Sequence, residues 1–172
     1  MISNRTRIVL TLLGALLLLQ ACSDQRFGAG TAPDFELPGL LDDRSYRLSA
    51  LQGKVVYLTF WASWCGPCRQ EMPFLVELHQ QYAAQGLQIL AIGVDENPQD
   101  AVEFIRGYEV PFAVADDSAN VVRKLYKVEG MPTHFIIDRD GRVHYSHMGF
   151  KEDDRQKITE QVSRLLGQSR PS

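Results

Sequence analysis

With 172 residues, a formal net charge of −3 and 18 basic against 21 acidic side chains, the chain is sized for one domain and carries no cationic excess. No block of Lys and Arg occurs, which argues against nucleic acid as a partner. Three cysteines would leave one thiol odd in an oxidising compartment.

Arg5 and Arg7 precede a mostly apolar run from Ile8 to Leu19. The run is short of the ~20 residues that cross a bilayer and fits the apolar core of a secretory signal. Leu19-Gln20-Ala21-Cys22 resembles the end of a bacterial lipoprotein signal, with Leu19 and Ala21 in place and Gln20 a mild departure. The resemblance implies removal of residues 1–21 and a lipid on the Cys22 sulfur, which would account for the odd thiol. An uncleaved anchor and a plain signal are the competing readings. Residues 22–32, with Gly28, Ala29 and Gly30, read as a flexible tether spanning ~17 Å. The domain proper is expected over residues 33–172.

Ala32 to Pro38 suggests a short edge strand, with Ser45 to Leu48 able to pair across a turn at Asp42-Asp43. Lys54 to Trp61 is almost continuously apolar and suits a central strand covered on both faces. A helix is expected from about Gly66 to Gln85, with Met72, Leu75, Leu78 and Tyr82 on one stripe, Pro73 kinking it and Gly86 closing it. Leu87 to Val94 reads as a second buried strand, Pro98 to Tyr108 as a helix, Val110 to Ala115 as a short strand and Ala119 to Tyr126 as a short helix. His134 to Asp138 and Arg142 to Met148 suggest a hairpin closed through Asp140-Gly141. Ile158, Val162 and Leu165 mark a last amphipathic helix. Strands alternating with helices and then a terminal hairpin imply an α/β fold with a mixed central sheet.

The chemistry concentrates at Trp64-Cys65-Gly66-Pro67-Cys68. A disulfide across two intervening residues is a poor staple, since closing so short a loop is worth about 2 kcal/mol against about 4.7 for a hundred-residue loop. It suits a bond that is made and broken repeatedly. Cys65 falls at a helix start, where free N–H groups and the dipole favour a thiolate. Cys68, one turn in, reads as the buried resolving thiol. A structural disulfide fails on the loop argument, and zinc fails for want of further ligands near the pair. His134, His144 and His147 read as ordinary strand residues. No metal and no cofactor is expected.

From about Pro33 to Gly167 the chain resembles thioredoxin-fold proteins of the TlpA/ResA-like group. The likeness rests on Ala32-Pro33-Asp34-Phe35-Glu36-Leu37, on Phe60-Trp61-Ala62-Ser63-Trp64-Cys65-Gly66-Pro67-Cys68-Arg69-Gln70-Glu71-Met72-Pro73, on the extra helix and strand near residues 98–115, and on Gly130-Met131-Pro132-Thr133. It implies a thioredoxin fold with an N-terminal strand extension and a central helix–strand insert. It also implies that Pro132 is a cis-proline facing the CxxC, with Met131 and Thr133 touching sulfur or substrate. Thioredoxins proper carry a buried Asp six residues before the first cysteine, where Thr59 stands here. The group instead has an acid three residues after the second cysteine, which is Glu71. That residue could carry the Cys68 proton, and its competing reading is an exposed helix Glu. Trp64 is expected beside the disulfide, offering apolar surface to partners together with Gly66 and Pro67, while Trp61 packs in the core.

The implied activity is reduction of protein disulfides outside the cytoplasm by a lipid-anchored monomer facing the periplasm, recharged by a membrane thiol donor. Apocytochrome c is one implied partner, although Thr133 stands where cytochrome-maturation relatives often carry Glu; other envelope proteins are the alternative. A thiol peroxidase shares the Ala-Pro-Asp-Phe start, but Leu58 and Ala62 replace the activating groups it needs. A non-catalytic binding lipoprotein is a third class, set against it by the intact CxxC.

Overall fold

The centre of the fold is β3, Val55–Trp61, in which every residue is buried. A run of Val, Tyr, Leu and Phe with no charge reads the same on both faces, so it can be stable only between two covering layers. The computed structural model describes residues 30–168. The expected lipoprotein signal and Cys22 lie outside the described residues.

Two short strands precede the centre: β1 (Glu36–Pro38) and β2 (Ser45–Arg47) form an antiparallel pair of their own. A bridge between Gly39 and Ala115 ties this pair to the main sheet. Then come α1 (Gly66–Tyr82), β4 (Leu87–Gly93), α2 (Pro98–Arg106), β5 (Ala113–Asp116), α3 (Val121–Leu125), β6 (Thr133–Ile137), β7 (Val143–Met148) and α4 (Asp154–Gly167). The main sheet has the order β5-β4-β3-β6-β7. β3, β4 and β5 are parallel, while β6 and β7 are antiparallel to their neighbours. This is the mixed sheet flanked by helices that the thioredoxin fold requires.

α1 buries Cys68, Glu71, Met72, Leu75, Leu78 and Tyr82, a stripe at helical spacing. Pro67 sits in its first turn, where a missing N–H costs nothing. The α-helix ends at Tyr82, and a 3₁₀ turn over Ala83–Gln85 carries the chain to Gly86, whose φ of 101° only glycine adopts freely. α4 lies beside α1, with Arg155 paired to Glu77 and the Phe74 ring on Phe150. The other face of β3 packs an aromatic cluster: Phe60 meets Tyr126 and Phe135, and Tyr126 meets Phe35.

Several boundaries differ from expectation: besides α1, which stops at Tyr82, α2 ends at Arg106 and not at Tyr108. β5 begins at Ala113, because Pro111 has no N–H for a ladder. α3 is only Val121–Leu125, started by Asn120 in a left-handed conformation. The fold also begins before Pro33: Ala32 N donates to Gly141 O at 2.8 Å, Val143 N donates to Gly30 O at 3.1 Å, and Thr31 bridges Arg142. The last residues of the expected tether are therefore docked on the hairpin.

Candidate active site

β3 ends in the turn Ala62-Ser63-Trp64, and a buried aspartate holds that turn in shape. Asp95, just past β4, accepts from Ser63 N at 3.0 Å and from Ser63 Oγ at 2.5 Å. Arg69 donates to Ser63 O at 2.8 Å, with its guanidinium 4.9 Å from the centre of the Phe104 ring. The turn delivers Cys65 to the N-cap of α1, where its Sγ accepts from Cys68 N at 3.2 Å.

Cys65 and Cys68 are joined, with Sγ–Sγ 2.02 Å. Their exposures differ in the sense needed for division of labour. Cys65 keeps 4% of its surface, Cys68 none, and neighbouring Trp64 keeps 67%. Gly66 and Pro67 are exposed beside them, and Trp61 is fully buried against Phe104. The exposed surface beside the disulfide is therefore that of Trp64 and the Gly-Pro turn, and Cys68 contributes none.

The Met131–Pro132 bond is cis. Thr133 pairs with Phe60 across the β3–β6 ladder, which brings Pro132 to the end of the sheet that carries the CxxC turn. Gly149 N donates to Pro132 O at 2.7 Å, and Thr133 Oγ1 donates to Gly130 O at 2.6 Å. Both bonds fix the loop from behind. Met131 stays half-exposed while Pro132 and Thr133 are buried.

Glu71 is fully buried, so the exposed-helix reading fails. Its Oε1 accepts from Tyr57 OH at 2.9 Å, and its Oε2 accepts from Thr59 Oγ1 at 3.1 Å. Thr59, which stands where thioredoxins keep an acid, serves here as a donor to one. Burial, and then the Glu71 carboxyl beside it, hold the Tyr57 phenol well above its usual range and so keep it a donor.

The sequence reading missed two residues. Asp95 organises the CxxC turn from 32 positions away, a separation that no local pattern reveals. His134, taken for an ordinary strand residue, is fully buried with Nδ1 3.3 Å from Glu71 Oε1. That approach lacks hydrogen-bond alignment, and neither ring nitrogen has a hydrogen-bond partner among the described residues. The available signal was polar residues recurring on one face of buried strands: Tyr57 and Thr59 on β3, and His134, the ladder partner of Thr59, on β6. His144 lies at the opposite end, 2.7 Å from Asp138. Among the described residues no three His, Cys, Asp or Glu side chains converge as a metal site would require.

Residues 29–146 match the AhpC/TSA family. The chain belongs to that family. The thiol-disulfide oxidoreductase ResA of Geobacillus thermodenitrificans is 39% identical over 130 residues, which is 74% of each chain. ResA of Bacillus thuringiensis subsp. konkukian is 34% identical over 134 residues, 78% of this chain and 76% of that one. A Chlorobium tepidum structure described as thiol:disulfide interchange protein DsbE superposes with a TM-score of 0.78 at 42% identity, covering 81% of this chain and 97% of that one. The pneumococcal exposed lipoprotein thioredoxin of Streptococcus pneumoniae gives a TM-score of 0.67 at 31% identity, over 77% of this chain and all of that one.

A rim cysteine at a helix N-terminus, a sealed partner thiol one turn in and a cis-proline loop beside them make an apparatus for thiol–disulfide exchange. A helix start favours a thiolate, and a sealed thiol one turn in lies within reach of it.

Proposed function

We propose that this thiol–disulfide oxidoreductase reduces disulfides of proteins outside the cytoplasm, with Cys65 as nucleophile, Cys68 as resolving thiol and Glu71 as the acceptor of the Cys68 proton. The observation that carries the division of roles is that Cys65, at the helix start beside exposed Trp64, keeps 4% of its surface while Cys68, one turn in, keeps none.

The cycle starts from the reduced pair. Cys65 thiolate attacks one sulfur of the target disulfide, and the other target sulfur leaves as a thiolate. Cys68 then passes its proton to Glu71 and attacks Cys65 Sγ. The Cys65–Cys68 bond forms, the bond from Cys65 to the target breaks, and two electrons have passed to the target. A thiol donor at the membrane returns the pair to its reduced form. Trp64, Gly66 and Pro67 present the landing surface, and Met131 next to cis Pro132 offers its backbone to an extended target segment.

The broad reductase reading is favoured over one dedicated to apocytochrome c. Thr133 supplies no carboxylate after the cis-proline, and its hydroxyl is committed to Gly130 O. Attachment to a membrane through acylated Cys22 belongs to the same proposal. It draws support from the lipoprotein-like Leu19-Gln20-Ala21-Cys22 and from the lipoprotein thioredoxin among the similar structures.

Trapping tests the assignment of the two thiols. Cys68→Ser should accumulate mixed disulfides with target proteins, whereas Cys65→Ser should accumulate none. Equal trapping by both variants in non-reducing mass spectrometry would overturn it.

A further inference from the structure

The floor beneath the CxxC holds a titratable group that the exchange cycle has not used. We propose that His134 is the proton partner of Glu71, positioning the carboxyl and taking onward the proton that Cys68 releases. This rests on the reading of Glu71 as the acceptor of that proton.

A buried neutral imidazole normally satisfies at least one nitrogen, because a bare polar atom in the core costs about 1–3 kcal/mol. His134 satisfies neither by hydrogen bonding among the described residues, and no part of it reaches solvent. A phenyl ring would fill the same stack between Tyr57, at 5.1 Å, and Tyr145, at 5.9 Å, without that cost. What a phenyl could not do is face the Glu71 carboxyl. Nδ1 lies 3.3 Å from Oε1, within reach of proton exchange after a small reorientation.

The pairing suits both states of the cycle. Before transfer the ring carries its proton on Nε2 and Nδ1 is bare, so Nδ1 can accept the proton that Glu71 has taken from Cys68. Once Nε2 has lost its proton, the Nδ1–H left behind donates to the Glu71 carboxylate, and re-reduction of the pair runs the same steps backwards. An imidazole serves in both roles, and it is the side chain whose charge ordinarily changes near neutral pH. Tyr57 and Thr59 keep the carboxyl in place while the proton moves, since each hydroxyl donates to one of its oxygens.

The route continues outward along the sheet. His147 is the ladder partner of His134 on β7, with ring centres 5.6 Å apart. Its side chain is 36% exposed, and its Nε2 lies 3.6 Å from Asp154 Oδ2 on α4. The groups around His134 are therefore Tyr57 and Thr59 from β3, Glu71 from α1, and Tyr145 and His147 from β7; Asp154 from α4 faces His147, and the Lys157 ammonium lies 5.3 Å from the centre of the Tyr145 ring. The balance is simple. Cys68–SH gives H⁺ to Glu71, the resulting thiolate displaces the target thiolate from Cys65, Glu71 hands H⁺ to Nδ1, and the imidazolium loses its proton from Nε2.

The test uses the full chain in its reduced form with 5,5′-dithiobis(2-nitrobenzoate) as the probe. Its first nitrothiobenzoate is released by Cys65 and its second by Cys68, so the two steps separate in stopped flow. His134→Asn keeps a donor near Oε1 but cannot carry charge. It should leave the first release unchanged, slow the second about 10-fold or more, and flatten that step's pH dependence around neutrality. Glu71→Gln, run alongside, should slow the same second step. If Glu71→Gln is slow and His134→Asn matches the wild type at every pH, His134 is a packing residue and only the Glu71 reading survives. If Glu71→Gln also matches the wild type, both readings fail.

A second measurement holds even where the Asn variant does not fold. In ¹⁵N-histidine-labelled protein, the His134 ring signals should differ between the oxidised and the dithiothreitol-reduced forms, and that difference should vanish in Glu71→Gln. Ring signals indifferent to redox state would overturn the inference.

Discussion

Two buried carboxylate regions flank the CxxC, and they are built on opposite plans. On the β4–β5 side, Asp95 accepts from Ser63 N and Oγ, while Asp117 accepts from the backbone N–H groups of Val121, Val122 and Arg123. On the β3–β6 side, Glu71 is met, among the described residues, by side chains: two hydroxyls and an imidazole. A backbone N–H can only donate, so each one bound to an acid ties that acid to the path of the chain: one such tie at Asp95 and three at Asp117. Hydroxyls and imidazoles can donate or accept, so an acid among them can change its proton without losing its partners. The first plan makes an anchor for the backbone, the second a place where a proton can rest.

Removing the anchor should have the largest effect on stability. Asp95→Ala deletes charge-assisted bonds to the turn that delivers Cys65 and should cost about 2 kcal/mol, together with slower attack by Cys65. Urea unfolding of the oxidised protein measures the first part. A loss below about 0.5 kcal/mol, with an unchanged attack rate, would erase the distinction between the two plans.

Glu71→Gln sharpens the comparison from the other side. The amide keeps the shape and an acceptor, so stability should fall by less than about 1 kcal/mol, while resolution by Cys68 slows about 10-fold. Joint measurement of unfolding and of the two exchange rates decides this. A variant that unfolds readily while resolving normally would place Glu71 among the anchors.

Asp138 supplies a mild control at the far end of the sheet. Burial pushes its carboxyl up, but hydrogen bonds from Arg142 N and His144, with a further one from Asp140 N, hold it below the usual range. A depressed folded value stabilises above the unfolded pKa and is lost as pH falls through the folded one. Asp138→Asn should therefore be slightly less stable than the wild type at neutral pH, with the gap closing below about pH 4. Melting curves across that range check it, and exchange kinetics should not change.

The legible parts of this molecule were those written in short stretches of chain. β3 announced itself by an unbroken apolar run, α1 by its stripe from Met72 to Tyr82, and Cys65, Cys68 and Pro132 by motifs a few residues long. Helical spacing also put Glu71 one turn from Cys68. What turned that carboxyl into a buried group came from residues 12 and 14 positions away on β3 and from β6. Asp95 and His134 were hidden for the same reason, because a polar residue on a strand shows its role only once the register is known. Arg139 gives a further case: it donates to the carbonyls of Leu165, Leu166 and Gln168 at the end of α4, a cap supplied by a distant loop.

The docking of Gly30, Thr31 and Ala32 on the hairpin end also sets an orientation. β3 starts beside that end, with Val56 opposite Ile137, and finishes at the CxxC turn. Seven residues of strand separate the two, a distance of about 23 Å. The chain therefore enters the domain at the base of the sheet. Trp64 and Cys65 lie past the opposite end of that strand, so a bulky folded partner meeting them would not meet the point where the chain enters the fold.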